Sequence, residues 1–480
     1  MKTKNITIYV LLIFMTFFTN SCDSDELIKF NENPNQATNI SPEFLFGYAT
    51  LAWSGARMGG DLFLPVAFAN QAVATGGNAG WGYGEDRYDI SPFSIGNTWR
   101  FYFVNGGNNL KIAIDKAESA VPVNNNAAAQ CKIVLANTMY EATMIYGDVP
   151  FREAWSANFP SPSFDPQEQV LNDLILLLDE AINQVELTSS LKIDTNDAYF
   201  KGDLSKWVKF AKSLKLKILM TMYDKVPAKS TEIAALVTQN LISSASDNVE
   251  MPFFDETNAE NPKNKLFKNY ASGKNPWIFA NKNVFDLMDS RNDPRIPRYF
   301  ESKNSGMFEA IETATEAAST SSPISLENLW RVDAPDLIMS YQETLLFKAE
   351  IYARGIGVAV NLVTANTHYK NGVKEALKYY GVSDSDATNY VNTGLTDIST
   401  LSPANAVNEI HIQQWIDLMD RSLEGWVQSR RTEVPNLTVP NGAPAGGLFR
   451  RYPYPDGELA ANPSAPTINP KYFDKMWFDL

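Results

Sequence analysis

Cysteine and histidine are almost missing from this 480-residue chain, which holds two of each: Cys22 and Cys131, His368 and His411. A disulfide framework is thereby excluded, and so are clustered Cys/His sets for structural zinc. No HExxH, GxSxG or Walker stretch occurs, so zinc-protease, α/β-hydrolase and phosphate-loop chemistry find no support. Alternating β-branched runs are scarce, which argues against a β-rich body. Positive charge is in deficit: 55 acidic against 41 basic residues give a net charge of −14. That balance argues against nucleic acid as a partner and against electrostatic docking on anionic lipid. No apolar run after Phe18 is long enough to cross a bilayer.

What is present begins with Lys2 and Lys4, then a nearly unbroken apolar run from Ile6 to Phe18, then Thr19, Asn20, Ser21 and Cys22. This positive, apolar, small-residue order is that of a secretory signal. The run is shorter than the roughly 20 residues of a comfortable membrane span. A cysteine directly after a small residue resembles a bacterial lipoprotein signal, in which the thiol is acylated and becomes the new N-terminus. Residues 1–21 are expected to be a lipoprotein signal peptide and residues 22–40 a lipidated N-terminus and linker. Each buried methylene of an acyl chain contributes about 0.8 kcal/mol, so two or more chains anchor a protein without a spanning helix. Asp23-Ser24-Asp25-Glu26 is a solvated linker that also resembles the export tag of surface lipoproteins in Bacteroidetes. The competing reading is an ordinary secreted protein in which Cys22 is incidental. With Cys22 used by the anchor, Cys131 is left alone, and within AAAQCKIVLANTMY it reads as a small buried core residue.

The body is 44% apolar, which excludes a disordered chain, and it reads as mainly α. Between Leu204 and Ile218 apolar residues recur at 204, 207, 208, 211, 214 and 218, one helical face, with Asp203 as N-cap. Ala334-Pro335-Asp336 is expected to open another helix that runs to Arg354 and stops at Gly355. Similar patterns lie near 102–120, 128–146, 166–185, 281–289, 369–380 and 404–421. Paired helices of this length suggest a helical-repeat scaffold, although no 34-residue tetratricopeptide signature is legible. The loops are long and aromatic. Residues 55–107 hold 11 of the 26 glycines, densest in GGNAGWGYGEDRYDI; 251–280, 300–330 and the Pro/Gly-rich end from Glu433 to Leu480 are further irregular stretches. Long loops in a compact domain are usually functional or disordered, and these carry too many aromatics for simple linkers.

Five marks stand in order along the chain: Asn31-Glu-Asn-Pro-Asn35; Tyr146-Gly-Asp-Val-Pro-Phe151 with Glu153-Ala154; Gly202-Asp203 with Lys206-Trp207 and Ser213-Leu-Lys-Leu-Lys217; Trp426 with Arg430-Arg431-Thr432 and Pro435; and Arg450-Arg-Tyr-Pro-Tyr454. Together they resemble the SusD/RagB family of outer-membrane nutrient-binding lipoproteins, in its second, SusD-like branch. The resemblance implies a tetratricopeptide-like helical-repeat scaffold of four helix pairs with a loop-rich ligand-binding half, residues 41–480 being a single SusD-like binding domain. It implies a partner, a SusC-like TonB-dependent transporter that the lipoprotein covers as a lid on the outer membrane, facing the cell exterior. The ligand would be an oligosaccharide or a peptide, with no catalysis and no cofactor. Most of the five marks read as structural signatures; Trp207, for instance, lies on the apolar stripe.

Sugar rings have an apolar face and hydroxyl edges, which flat aromatics and Asn, Asp or Arg side chains match. The loop candidates are Trp81 and Tyr83, then Tyr270, Asn275 and Trp277, then Trp330 and Arg331. Binding aromatics in the family come from an early loop and from mid-chain loops, so this carry-over is regional. Each ring could equally be a loop aromatic packed into the fold. The cluster from Asp255 to Asn261 could hold a structural calcium ion, without EF-hand spacing to support it. His411, in NEIHIQQWIDLMD, reads as a structural helix residue. Two other functions remain open: a lipid-anchored α-helical glycoside hydrolase, for which 55 acidic residues allow carboxylate pairs, and a helical scaffold for envelope assembly.

Overall fold

Residues 40–75, 84–269, 277–303, 306–444 and 446–480 are described by a computed structural model. The chain begins with α1 (Pro42–Met58), α2 (Phe63–Ala69) and the short strand β1 (Val73–Thr75). Next, α3 (Pro92–Arg100) runs into a π-helix (Phe101–Asn108) and α4 (Asn109–Glu118). Then come α5 (Asn125–Tyr146), α6 (Gln167–Gln184), α7 (Leu204–Met222) and α8 (Ser230–Val237). The middle holds β2 (Val249–Met251), α9 (Pro262–Asn269), β3 (Ile278–Ala280), α10 (Lys282–Asp289) and α11 (Ile296–Tyr299). Finally β4 (Asp336–Met339) leads to α12 (Tyr341–Arg354), α13 (Leu362–Tyr379), α14 (Asp384–Thr393), α15 (Pro403–Asp417), α16 (Ser422–Thr432) and α17 (Asp456–Ala461).

Sequence neighbours pack in pairs: α4 on α5, α5 on α6, α6 on α7, α12 on α13 and α13 on α14, while α15 returns to α12. The fold is mainly α with the tetratricopeptide-like pairing expected from the sequence. Side-chain caps start several of these helices. Asp203 accepts from the backbone N–H groups of Ser205 and Lys206 at 3.0 and 3.3 Å, and α7 then buries Leu204, Trp207, Ala211, Leu214 and Ile218. Asn361 opens α13 by accepting from Thr364 N at 2.9 Å. In α5 every residue from Asn126 to Tyr146 is buried, so this helix is surrounded on all sides. Cys131 sits there with no exposure, and burial pushes its thiol pKa far up. Among the described residues no helix is long and apolar enough to cross a membrane.

Two expectations change. The stretch 336–339 is not helical: it is β4, antiparallel to β2, with Val249 opposite Met339 and Met251 opposite Asp336. All four of its residues are buried, and a short continuous apolar run does not distinguish strand from helix by periodicity. Ser340 supplies the late start, its Oγ accepting from Glu343 N at 3.2 Å. The helix still ends at Gly355, whose φ of +70° suits glycine. The pattern near 102–120 likewise divides, its first part being the π-helix.

The family-like marks far apart in sequence meet in space. The Arg430 guanidinium lies 3.6 Å from the Trp426 ring centroid. It donates to the carbonyl oxygens of Trp426 (3.1 Å), Met144 (2.9 Å) and Arg450 (2.5 Å). Arg451 donates to the carbonyl of Tyr146, Tyr452 N to that of Ile145 at 2.8 Å, and the Tyr454 hydroxyl to that of Asp148 at 2.8 Å. Three segments are thus tied at the end of α5. A second lock is ionic. Arg57 of α1 pairs with Glu141 of α5, Asp336 of β4 (3.1 Å) and Glu424 of α16 (2.9 Å). Trp53 and Tyr102 each donate to Glu141 at 2.7 Å. Burial raises the Glu141 pKa, and the nearby Glu424 charge adds to this against the pull of Arg57.

Candidate functional site

Three of the irregular stretches converge on one short ladder. β1 and β3 are antiparallel, with Val73 opposite Ala280 and Thr75 opposite Ile278. Thr75 leads into 76–83 and Trp277 follows 270–276, so the described flanks of the early glycine- and aromatic-rich segment and of the polar, aromatic 251–280 stretch lie side by side. Asp86 closes the early one. Its Oδ2 accepts from the Thr75 hydroxyl at 2.7 Å and from Ala314 N at 3.0 Å. Burial raises its pKa, and these two hydrogen bonds work in the other direction. Arg87 donates to the Ala314 carbonyl at 3.0 Å, and bridges pair Phe279 with Pro323 and Asn281 with Ile311, so the 300–330 stretch joins the same ladder. Asn281 fixes the far end: its Oδ1 caps α10 through Asn283 N at 2.9 Å, while its Nδ2 reaches the Val73 carbonyl at 3.2 Å.

The anticipated contact residues divide. Cys22, Trp81, Tyr83, Tyr270 and Asn275 lie outside the described residues. Trp277 is 7% exposed and stacks on Phe267 at 6.3 Å. Trp330 is 2% exposed, edge-on to Phe63 at 5.2 Å, and its Nε1 donates to Asp420 Oδ1 at 2.7 Å. Both rings are therefore packed inside the fold, in the same buried cluster as Val73, Ile278 and Ala280 of the ladder. Arg331 stays at the surface, pairs with Asp333 at 2.8 Å, and borders a cavity of about 130 Å³ with Glu327, Asn328, Tyr379 and Tyr380. Asp86 was not singled out from sequence, because nothing separates it from Glu85 and Asp89 in the same acidic-aromatic run.

Other groups are spoken for structurally. In the stretch weighed for calcium, Asn261 caps α9 by accepting from Lys263 N at 2.8 Å and donates to the Ala334 carbonyl at 2.6 Å. Among the described residues no group of three or more His, Cys, Asp or Glu side chains is placed to hold a metal ion. His411, in α15, stands 3.2 Å from Glu350, which Arg431 grips at 2.7 and 2.8 Å. Burial alone would raise the Glu350 carboxyl, but Arg431 and His411 hold it well below its usual range. The closely set carboxylates Glu141, Asp336 and Glu424 gather around Arg57, each side chain at most 8% exposed. A cleft of about 1070 Å³ is built from α1, residues 194–201 and residues 245–254, with Leu51, Tyr199, Glu250 and Phe254 on its walls.

The chain matches the model of a SusD-like family described as starch-binding and associating with the outer membrane, over residues 66–455. No curated protein sequence matches it. Among solved structures, a chitin-binding protein superposes with a TM-score of 0.78 at 22% identity, over 92% of this chain and 100% of its own. A SusD homologue from Bacteroides uniformis gives 0.75 at 20% identity, over 91% and 99%. A chitin-binding SusD homologue from Flavobacterium johnsoniae gives 0.73 at 19% identity, over 91% and 98%. At these identities the likeness is one of fold. Binding, not catalysis, is the business of this family. With most of its length inside the family model and its helix pairs in the same arrangement, this chain belongs to the SusD-like family of outer-membrane-associated proteins.

Proposed function

We propose that this protein captures an oligosaccharide at the cell surface and delivers it to a SusC-like TonB-dependent barrel. The observation that carries the reading is the β1–β3 ladder, which brings the flanks of two aromatic-rich segments together in a chain of a family described as starch-binding. Trp81, Tyr83 and Tyr270 would stack on sugar faces, with Asn275 and Arg331 on the hydroxyl edges; Trp277 and Trp330 would hold the platform from beneath. The protein would be tethered by acyl chains on Cys22, with residues 22–40 as the leash.

Calorimetric titration of the mature protein with maltoheptaose and chitohexaose tests the ligand class. Trp81→Ala combined with Tyr83→Ala is expected to weaken binding by about tenfold or more, the scale of losing aromatic anchors, without moving the unfolding midpoint. Binding of a peptide library but of neither saccharide would replace the glycan by a peptide. Palmitate labelling checks the tether, and outer-membrane co-purification checks the barrel; an unlabelled residue 22 or recovery without a barrel would refute those parts.

A further inference from the structure

An aromatic cleft lies on elements that the ladder does not use. It has a volume of about 400 Å³, within the roughly 300–1,000 Å³ usual for small-ligand sites. Trp99 and Phe103 form its floor, stacked at 4.1 Å between centroids. Trp155 forms one wall, half-buried, and Asn108 and Glu458 stand at the rim.

The placing of Trp155 is specific. Its backbone has a φ of +58°, which a bulky residue keeps only where the surroundings impose it, and such positions gather at functional sites. Its Nε1 donates to the Phe103 carbonyl at 2.7 Å, which fixes the plane of the ring. The ring lies against Gly107, where any Cβ would overlap the indole. Phe103 and Gly107 both belong to the π-helix, a form found disproportionately at functional sites. The loop carrying Trp155 is held in turn: Glu153 accepts from Ser163 N at 2.7 Å, and Asp165 accepts from Phe151 N at 3.0 Å. A strained backbone, a glycine seat and a fixed indole hold Trp155 at the edge of the core with part of its ring left open to the cleft.

We infer that this cleft is a second saccharide site, taking one or two pyranose rings with a sugar face against Trp155 and hydroxyls on Asn108 and Glu458. The Asn108 carboxamide makes no side-chain hydrogen bond among the described residues and offers both a donor and an acceptor. Glu458 is steadied through one oxygen by Asn462 Nδ2 at 2.9 Å. An acyl chain would leave both polar groups facing hydrocarbon, which sugar hydroxyls do not. Two saccharide sites on one chain let a long glycan bind at both, raising retention by effective concentration without tighter contacts at either. The inference rests on the glycan reading above.

The test titrates the full mature protein with maltoheptaose and chitohexaose, following heat and tryptophan fluorescence. The wild type is expected to bind in two phases. The triple variant Trp81→Ala, Tyr83→Ala, Tyr270→Ala should keep the weaker phase, and adding Trp155→Ala should reduce it by about tenfold or more. Trp155→Phe should retain part of it, and Asn108→Ala, which leaves the aromatic floor intact, should weaken it severalfold. A residual phase indifferent to Trp155→Ala and Asn108→Ala overturns the second site while leaving the ladder reading in place. A triple variant with no residual binding does the same. If neither saccharide binds the wild type, both readings fall. If a proline-rich peptide binds the cleft in place of sugar, the ligand class assigned here is refuted.

Discussion

The joint at the end of α5 and the β1–β3 ladder handle their backbones in opposite ways. At the joint, Arg430, Arg451, Tyr452 and Tyr454 spend their donors on main-chain carbonyls from segments about 300 residues away. Arg430 is 4% exposed and most of its donors are committed to the three carbonyls, so it holds the chain together, and losing its guanidinium would leave those buried carbonyls unsatisfied. The ladder is only three residue pairs long, secured by Asn281 and Asp86, and the aromatic-rich segments leave from its end. The most recognisable motifs of the chain thus mark where it is locked. Its least distinctive stretch, glycine interleaved with aromatics, marks where a ligand is expected.

The contrast can be broken most severely from the locked side. Arg57→Ala leaves Glu141, Asp336 and Glu424 together in the core without their shared cation, and should cost about 3–5 kcal/mol in chemical denaturation. Loss of stability much below that would mean that water reaches the cluster and that the lock is looser than its geometry indicates. Arg57→Lys should recover only part, since one ammonium does not reproduce the guanidinium fork.

Acid should probe the same side next. Glu350 is held below its ordinary value of 4.5 by Arg431 and His411, despite burial. A depressed carboxyl binds fewer protons folded than unfolded near that value, so its stabilisation is present above pH 4.5 and lost as pH falls through the folded pKa. Unfolding midpoints measured from neutral to acid pH should therefore drop below about pH 4.5. Glu350→Gln should start lower at neutral pH and show a flatter acid limb; an unchanged limb would remove Glu350 from the account.

The smallest effect sharpens the ladder side. Trp330→Phe keeps the ring contacts with Phe63 and Phe267 but loses the bond to Asp420, and should cost about 1 kcal/mol in stability. Saccharide affinity should stay within about twofold, against the tenfold or larger loss expected for Trp81→Ala with Tyr83→Ala. Equal losses from both changes would show that floor and contact surface are not separate.

Local signals carried a good part of the architecture. The stripe from Leu204 to Ile218 lies within α7 and its cap, Asp203, directly precedes it, so reading the segment is reading the helix. Gly355 ends α12 for an equally local reason. β4 escaped notice because Leu337, Ile338 and Met339 acquire strand character only by pairing with β2, over 80 residues earlier. Trp330 read as a loop aromatic because the residues that bury it, Phe63, Phe267 and Asp420, come from three distant segments. Trp155 and Gly107 gave no linear sign of facing each other, and Asp86 looked like any acid in an acidic run.

Helix positions, their caps and ends, and the export-like opening were set by short-range chemistry: apolar spacing, a side chain three residues from the amide it caps, a glycine where φ turns positive. Which aromatics lie inside, which carboxylates share Arg57, and which irregular stretches meet at one ladder were decided by packing alone. Those outcomes depend on pairs of residues tens to hundreds of positions apart, and no window along the chain holds both members.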